Sequence, residues 1–382
     1  MRIRVRLPTV EPEVYGYPME CPYERCAGHF FKRHGLRGEE KAVRDLNYDQ
    51  VTSFRCRCLR CGRTFRVYPQ GISRAQQSDR LKAITVLLYA LGLSYGAVAD
   101  FLTALAMAVC KTTVYNNVQE AGIASRSRQQ AAVARGGKKA VIGSDGTYVK
   151  VKGEKVGIQV VVDDQTGDLL GLDIVVSENS EEVRKIVEQV AEQVEAEVLV
   201  SDDLDVYKNV ADELGLDHQI CRGHVKRNVD ELAKSLVEQL KKKEPLPEGV
   251  DSSTDRLQED VQTLQQLVRA RPPDALDSLE KMYYRYMAAP VPTAGERHTV
   301  WYRMRMLVLR LWERWARLTL DQRRDDLDGT NNSSERLIGW WIKERYRTMR
   351  GYKRTESIRN VVTLTARMGV RSDRYDMSEL YA

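Results

Sequence analysis

The chain has 382 residues and a net charge of +6, with 42% hydrophobic and 30% charged residues. This length is enough for about two or three domains with a real core. It contains no run of 18 apolar residues, which excludes a transmembrane helix, and its N-terminus lacks the apolar stretch of a signal peptide. A soluble intracellular protein is therefore expected.

Charge is unevenly distributed along the chain. Residues 1–138 carry 22 basic and 11 acidic side chains, residues 139–335 carry 27 and 38, and residues 336–371 carry 10 and 2. Two basic ends thus flank an acidic middle. Basic ends suit contacts with phosphate, and an acidic middle suits metal ions, although most single charges only solvate the surface.

Five of the seven cysteines lie within the first 61 residues. An odd number of cysteines without a secretion signal argues against a disulfide framework and favours metal binding. The spacing of two cysteine pairs predicts a tetrahedral zinc site, held by Cys21, Cys26, Cys58 and Cys61. With the alternating segment 64–68, this pattern predicts a zinc ribbon over residues 1–72.

Other residues of this segment could bind the metal instead. Cys56 competes with Cys58, and His29 or His34 could replace a cysteine. A set of unrelated buried thiols is the competing interpretation, which the clustering disfavours. Because many zinc ribbons only fold a small domain, the pattern predicts the metal more firmly than it predicts nucleic-acid binding.

Residues 73–138 have a helical pattern. Apolar residues at helical spacing predict helices over 80–92 and around Val98–Leu105, and a third helix begins at Lys111. A polar last helix is typical of a helix-turn-helix, whose last helix enters the major groove. The residues predicted to contact DNA here are Lys111, Thr112, Thr113, Tyr115 and Asn116. A plain helical packing domain is the alternative, and residues 125–139 are either a basic linker or a final helix.

Residues 139–224 predict antiparallel strands followed by alternating helices and strands. The predicted strands are 139–143, 148–152, 156–162, 169–176, 198–200 and 218–221, and the predicted helices are 180–194 and 206–214. Asp145 and Asp202 each follow an apolar strand, so each is expected at a strand exit. This element order predicts an α/β fold of the ribonuclease-H-like class.

Residues 225–328 predict an all-helical insertion. Helices are expected over 229–240, 253–269, 276–287 and 299–315, with prolines between them. After the insertion, Asn331–Ser334 is a run of good helix N-caps, which places Glu335 in the first turn of a helix.

Residues 329–371 carry basic side chains interleaved with aromatics, a pattern that suits a phosphate track with base stacking. The predicted DNA contacts are Arg336, Lys343, Arg345, Arg347, Arg350, Lys353 and Arg354. A solvated, charged helix end is the alternative. A last helix is expected over 357–366, followed by a frayed tail over 372–382.

Three motifs resemble those of known DNA-processing enzymes. Asp145, Asp202 and Glu335, on two strands and a helix, resemble the DDE triad of cut-and-paste transposases. The segment 221–224, Cys-Arg-Gly-His, resembles the C/D-x-x-H signature of Mutator, insertion-sequence and hAT-like transposases. The segment 331–336, Asn-Asn-x-x-Glu-Arg, resembles the glutamate motif of bacterial and archaeal insertion-sequence transposases. A zinc ribbon and helix-turn-helix in front fit the same group.

The resemblance implies a transposase that binds terminal inverted repeats, cleaves DNA and joins it to a target. Two Mg²⁺ or Mn²⁺ ions per active site would be held by the three carboxylates, with Asp202 bridging both. Hard oxygen ligands suit these ions. His224 would contact the scissile phosphate or flanking DNA, Arg222 would also contact DNA, and Trp301 would stack on a flipped base.

The same resemblance implies partners and a compartment. Double-stranded DNA, both transposon ends and target, is the expected partner, and paired-end synapsis favours a homodimer. No membrane association is expected, and the expected location is the cytoplasm of a prokaryote, at the nucleoid.

Some assignments have rivals within the sequence. Asp203 competes with Asp202, which is preferred because it comes first after the strand, whereas Asp205 is expected to start a helix. His224 could be structural or, with Cys221, half of a zinc site. Trp301 could simply pack in a core. The competing functions are a catalytically silent DNA-binding regulator and a nuclease without strand transfer.

Overall fold

The computed structural model describes residues 3–35, 37–175, 180–241, 244–349, 351–369 and 375–381. The chain forms two compact units: Met1–Ala132 with Tyr148–Val156 and Arg336–Ala382, and Val133–Thr147 with Gly157–Glu335. Both helices and sheets are present, which confirms the mixed α/β class. Among the described residues, no helix is long and apolar enough to span a bilayer.

The N-terminal part of the first unit consists of short strands. They are β1 (Val5–Arg6), β2 (Glu11–Tyr15), β3 (Phe31–Arg33), β4 (Glu39–Ala42), β5 (Gln50–Cys58), β6 (Thr64–Val67) and β7 (Pro69–Gln70). The longest strand, β5, pairs antiparallel with β3, β4 and β6. Its residues are largely alternately exposed and buried, as expected for a strand with one face on a core.

Three helices follow: α1 (Asp79–Ala90), α2 (Tyr95–Ala104) and α3 (Lys111–Arg135). Ser78 and Ser94 cap the first two, because their hydroxyls accept hydrogen bonds from the backbone N–H groups of Leu81 and Ala97. The helix that begins at Lys111 runs without interruption to Arg135. Most of residues 125–139 are therefore a continuation of α3 and not a linker.

The central sheet has five strands in the order β10-β9-β8-β11-β12. Its elements along the chain are β8 (Val141–Val151), β9 (Glu154–Asp163), β10 (Leu169–Val175), α4 (Ser180–Val194), β11 (Val198–Ser201), α5 (Asp205–Leu214) and β12 (Asp217–Ile220). The two strands predicted over 139–152 are one strand, β8. The Gly- and Asp-containing segment between them suggested a turn, but pairing in the sheet overrides such local preferences.

Both faces of this sheet are buried in the second unit. Ile142, Val161 and Leu199 face a core completed by α4 and α5. The alternate residues Val141 and Val198 belong to a separate core on the other side, with Leu320 and Leu327. Because parallel strands covered on both faces need apolar side chains at successive positions, β8 and β11 begin with continuous apolar runs.

The insertion is helical, as predicted. It contains α6 (Arg222–Leu240), α7 (Thr254–Ala270), α8 (Ala275–Tyr286) and α9 (Val300–Leu318), which share one hydrophobic core. The first of these helices, α6, starts at Arg222, seven residues before the predicted start at residue 229. His224 therefore lies in the first turn of α6 and not in a loop.

The C-terminal part begins with α10 (Asn332–Leu337), which continues through a π-helical segment (Ile338–Lys343) into α11 (Glu344–Arg347). Then come α12 (Thr355–Met368) and β13 (Tyr375–Asp376), which pairs parallel with β1. Met377 and Leu380, in a short 3₁₀ helix, are buried. The expectation of a frayed tail is therefore wrong for residues 375–381, because apolar side chains at its end pack into the first unit.

Candidate active site and metal centres

Asp145 lies on β8, and Asp202 directly follows the neighbouring strand β11. In the parallel pairing of β8 with β11, Val141 faces Val198 and Gly143 faces Val200, an offset of 57 residues. Asp145 and Asp202 are separated by the same 57 residues, so the register places them side by side just beyond the paired segment. Asp145 is inside β8 rather than at its exit, since β8 continues past the end of β11.

The helix that carries Glu335 is fixed to β8 by the preceding asparagine. The Asn331 side-chain N–H donates to the backbone oxygen of Ser144 at 3.1 Å, and the Asn331 carbonyl accepts from the backbone N–H of Glu335, also at 3.1 Å. A Cβ added to Gly143 would lie 2.8 Å from Oγ of Ser334. The strand thus needs glycine there for the helix N-terminus to approach so closely.

Burial and neighbouring charges shift the pKa of Asp145. Burial, with a smaller contribution from the charges of Asp202 and Glu335, raises the pKa of its carboxyl group to about 6, and the N–H of Gly146 and the charge of His224 partly oppose this rise. The site therefore concentrates negative charge in a desolvated place, which a bound cation would neutralise.

Among the described residues, the carboxylates of Asp145, Asp202 and Glu335 are not close enough for one oxygen of each to lie within 4.8 Å of the other two. Two magnesium ions about 3.5–4 Å apart space their outer ligands more widely than a single ion does. The oxygen-only donor set of Asp145, Asp202 and Glu335 fits Mg²⁺ or Mn²⁺.

A histidine and an arginine approach Glu335. His224 Nδ1 lies 3.3 Å and Arg227 Nη2 lies 3.5 Å from Oε1 of this glutamate. His224 also pairs with Cys221, which raises the pKa of the imidazole despite its partial burial. Sequence reasoning missed Arg227, which has no distinguishing motif and is recognisable only once α6 is seen to begin at Arg222.

Asp203 is held by two arginines of α9. Arg310 Nη2 lies 3.0 Å from its carboxylate, and Arg314 donates to the same carboxylate and to its backbone oxygen. Arg314 also pairs with Asp205, the first residue of α5. Asp203 therefore ties α9 to the end of β11, and this placement favours Asp202 as the metal ligand.

The four predicted zinc ligands lie together. All sulfur atoms of Cys21, Cys26, Cys58 and Cys61 are within 4.8 Å of one another. Sγ of Cys21 is 3.8 Å from that of Cys61, and the same distance separates Cys26 and Cys58. Sulfurs about 2.3 Å from a tetrahedral zinc would be about 3.8 Å apart.

Several details of the cysteine group suit a metal. The backbone N–H of Cys61 lowers the pKa of the Cys58 thiol to about 7, whereas burial raises the pKa values of the Cys21 and Cys26 thiols, so Cys58 is the member that most readily forms the thiolate a metal requires. Cys56, His29 and His34 are not members of the group. The buried Cys56 lies on β5 opposite Arg33 and Phe65.

A protein-family profile described as "Transposase IS66 family" matches residues 74–348. The matched segment is 275 of the 382 residues. The chain belongs to the IS66 transposase family. The matched segment includes the helices from α1 to α11 and the residues Asp145, Asp202 and Glu335.

Similarity to solved structures is weak. A solved structure described as "Crystal structure of catalytic core domain of BIV integrase in crystal form I" is 13% identical to the transposase. The match covers 53% of this chain and 95% of that chain, with a TM-score of 0.19. No curated protein sequence matches.

In the transposase, a buried histidine supports the strand that leads to Asp202. His218 lies within β12, where Arg317 donates to its Nδ1 and its Nε2 lies 2.8 Å from Oγ of Ser201. The Ser201 hydroxyl donates to the backbone oxygen of Asp202 at 3.0 Å. With Nδ1 accepting, Nε2 carries the proton, so neutral His218 fixes this chain of hydrogen bonds.

This arrangement predicts acid sensitivity. Burial, followed by the charge of Arg317, lowers the pKa of His218 from 6.5 to about 3. Below pH 6.5 the unfolded chain binds a proton that the folded chain does not. The free energy of unfolding should therefore decrease as the pH is lowered, by about 2 kcal/mol at pH 5. Denaturant unfolding at pH 7 and pH 5 should show that His218→Gln loses this part of the pH dependence. Equal pH dependence in both proteins would contradict the assignment.

Trp301 lies in the hydrophobic core of the insertion. Its side chain is 2% exposed, and its indole N–H donates to the backbone oxygen of Pro245 at 3.0 Å. This placement favours core packing in the transposase as it is folded here. Base stacking by Trp301 would require the side chain to leave this core.

The predicted contacts on the third helix lie in its first two turns. Lys111, Thr112 and Asn116 are exposed, whereas Thr113 and Tyr115 are partly buried. Tyr115 packs edge-on against Tyr95 of α2. Three exposed polar side chains thus remain presented at the start of α3.

The basic C-terminal segment is mostly solvent-exposed. The exposed members are Arg336, Lys343, Arg347, Lys353 and Arg354, and Arg222 on α6 is exposed as well. Arg350 lies outside the described residues. Arg345 is instead buried: its guanidinium donates to Thr348 and to the backbone oxygen of Leu93, and it stacks 4.0 Å from the ring centre of Tyr89. In this conformation Arg345 supports the first unit and is not presented to phosphate.

Proposed function

We propose that this transposase is a DDE enzyme that binds the terminal inverted repeats of its element and performs metal-dependent cleavage and strand transfer. The main support is the common register of Asp145 and Asp202, together with the bond from Asn331 to Ser144 that fixes the Glu335 helix to the same strand. This arrangement supports the triad that the ribonuclease-H-like resemblance implies, with two acidic residues from adjacent parallel strands and one from a helix.

Asp145, Asp202 and Glu335 would hold two Mg²⁺ or Mn²⁺ ions, with Asp202 shared. When bound, these ions supply an activated water or 3′-hydroxyl and stabilise the leaving oxygen. Asp145 must be ionised for this role, and the chain raises its pKa by burial and by neighbouring negative charge. Because the negative charges of the site repel one another, a bound cation would stabilise the ionised carboxylates.

The remaining residues would position DNA. Arg222, His224 and Arg227 occupy the first two turns of α6, and the last two lie beside Glu335, so they would contact the phosphates flanking the scissile bond. Exposed residues at the start of α3 and in the basic segment 336–354 would contact transposon ends electrostatically. Residues 1–72 would form a zinc ribbon, residues 73–138 a helix-turn-helix, and synapsis of two ends would use a homodimer.

A catalytically silent DNA-binding regulator is the second candidate. It is supported by the four-cysteine group and the exposed polar start of α3, which do not depend on catalysis. It predicts specific binding without nicking at any concentration of Mg²⁺ or Mn²⁺.

The deciding experiment uses labelled DNA from both flanks of the gene that encodes this protein. The DNA is incubated with Mg²⁺ or Mn²⁺ and either wild type or Glu335→Gln, and breaks and joined products are mapped. Cuts at matching inverted sequences that are lost in Glu335→Gln, with 3′ ends joined to a target plasmid, are expected. Binding at those sequences without cuts would favour the regulator, and cuts without joining would favour a nuclease.

A further inference from the structure

A second group of ligand atoms shares Glu335 with the carboxylate triad. Cys221 Sγ, His224 Nδ1 and a Glu335 carboxylate oxygen all lie within 4.8 Å of one another. Cys221 immediately precedes α6 and His224 is in its first turn, so both side chains are fixed by the same helix start. Glu335 approaches from α10.

The distances in this group suit a small tetrahedral ion. Nitrogen and oxygen ligands at about 2.0–2.1 Å from zinc are about 3.3–3.4 Å apart at the tetrahedral angle. His224 Nδ1 and Glu335 Oε1 are 3.3 Å apart. Three protein ligands with one open position are a common zinc arrangement.

The burial of the group also points to a ligand. His224 Nδ1 is buried beside the Cys221 sulfur and the Glu335 carboxylate, but its geometry is not that of an ordinary hydrogen bond to either. The Cys221 side chain is buried and its sulfur accepts a hydrogen bond from the backbone N–H of Asn331 at 3.3 Å, an interaction that suits a thiolate. Glu335 is only partly buried and could reach a metal from the solvent side.

The donor types separate this group from the magnesium site. A sulfur, an imidazole nitrogen and one carboxylate oxygen match the preferences of zinc and cobalt, whereas magnesium requires oxygen ligands. Arg227 also contacts Glu335, but its side chain is 60% exposed, so it can move aside when a cation binds.

We propose that Cys221, His224 and Glu335 form a binding site for zinc-class metal ions, and that an ion bound there inhibits the transposase by withdrawing Glu335 from magnesium. Binding would release the thiol proton of Cys221 to solvent. The inhibitory part rests on the proposed function, in which Glu335 is a magnesium ligand, whereas the binding part does not.

Binding is tested with Co²⁺ added to the full chain whose N-terminal cysteines are already loaded with zinc. Wild type should bind one more ion per chain and develop the visible bands and the thiolate charge-transfer band of tetrahedral Co²⁺. Cys221→Ser should lose the charge-transfer band, and Glu335→Gln should lower Co²⁺ affinity by at least about 10–100-fold, the loss seen even for residues that only support a ligand. Cys110→Ser, which removes an exposed cysteine elsewhere, is the matched control.

Inhibition is tested by adding Zn²⁺ to cleavage reactions at fixed Mg²⁺. Zn²⁺ should inhibit wild type, and Cys221→Ser should need at least tenfold more Zn²⁺ for the same fractional inhibition, each protein being compared with its own zinc-free rate. Absence of a thiolate–Co²⁺ band that depends on Cys221 would overturn the site. A Cys221-dependent band with equal zinc sensitivity in both proteins would overturn the inhibition and leave the site. If wild type does not cleave DNA at all, the proposed function fails, whereas the Co²⁺ measurement still decides the site.

Discussion

Asp202→Asn should abolish Mg²⁺-dependent DNA cleavage, whereas Asp203→Asn should retain it. The amide of asparagine keeps the shape of the carboxylate but loses the charge with which Asp202 would hold both metal ions. We expect a loss of at least about 10³-fold in cleavage rate, which corresponds to about 4 kcal/mol of the barrier. The measurement is the single-turnover rate on the end sequences identified with the flanking DNA.

Asp203→Asn is the matched control because it is the same substitution one residue away. Asp203 receives Arg310 and Arg314 from α9, so its loss should lower stability by about 1–3 kcal/mol without removing a metal ligand. The cleavage rate of the folded fraction should stay within a few-fold of wild type. The midpoint of thermal unfolding should be lower than that of wild type. The reverse pattern, with Asp203→Asn inactive and Asp202→Asn active, would exchange their assignments.

Cys58→Ser should cost the N-terminal segment its metal and its fold. Purified wild type is expected to contain one tightly bound zinc per chain, which elemental analysis by mass spectrometry would detect. A structural zinc is worth about 10–16 kcal/mol of apparent binding energy, far more than the small apolar core of Val10, Val43, Val51 and Ile72 can replace. The variant should therefore lose the zinc and become susceptible to proteolysis within residues 21–64.

Two other cysteine variants sharpen this experiment. Cys110→Ser should keep the zinc, because Cys110 is exposed and outside the four-cysteine group. Cys56→Ser tests the alternative ligand: Cys56 is fully buried on β5, so the variant should be less stable and yet retain its metal. Retention of zinc by Cys58→Ser together with its loss in Cys56→Ser would show that Cys56 is the ligand.

Local spacing predicted those features of the site that depend on neighbours in sequence. The pairs Cys21 with Cys26 and Cys58 with Cys61 are each set by a short turn, and the structure brings all four sulfurs together. Likewise, the polar run before Glu335 predicted a helix start, and α10 begins at Asn332. These features need only backbone geometry over a few residues.

Features that depend on tertiary contacts could not be predicted. The sequence preferred Asp202 over Asp203 only by its position after the strand, whereas the partners of Asp203, Arg310 and Arg314, lie more than 100 residues away on α9 and could not be identified. The exposure of Arg345 and Trp301 could not be judged either, because a basic or aromatic side chain on a helix has the same local pattern whether it faces solvent or a core. The continuity of β8 through Asp145 depends on the neighbouring strands of the sheet.

The hydrogen bonds at the base of the insertion have an evolutionary consequence. The backbone N–H of Arg222 donates to the backbone oxygen of Gly329, and that of Asn331 donates to Cys221 Sγ. The insertion of about a hundred residues therefore begins and ends at the same place in the structure. Closing a longer loop adds only about 0.6 kcal/mol per doubling of its length. The interval of 133 positions from Asp202 to Glu335 therefore reflects the length of the inserted chain, and not the distance between the two carboxylates. These atoms at the base, together with the arginines of α9 that hold Asp203 and His218, keep the acidic residues in place whatever the length of the chain between α6 and α9.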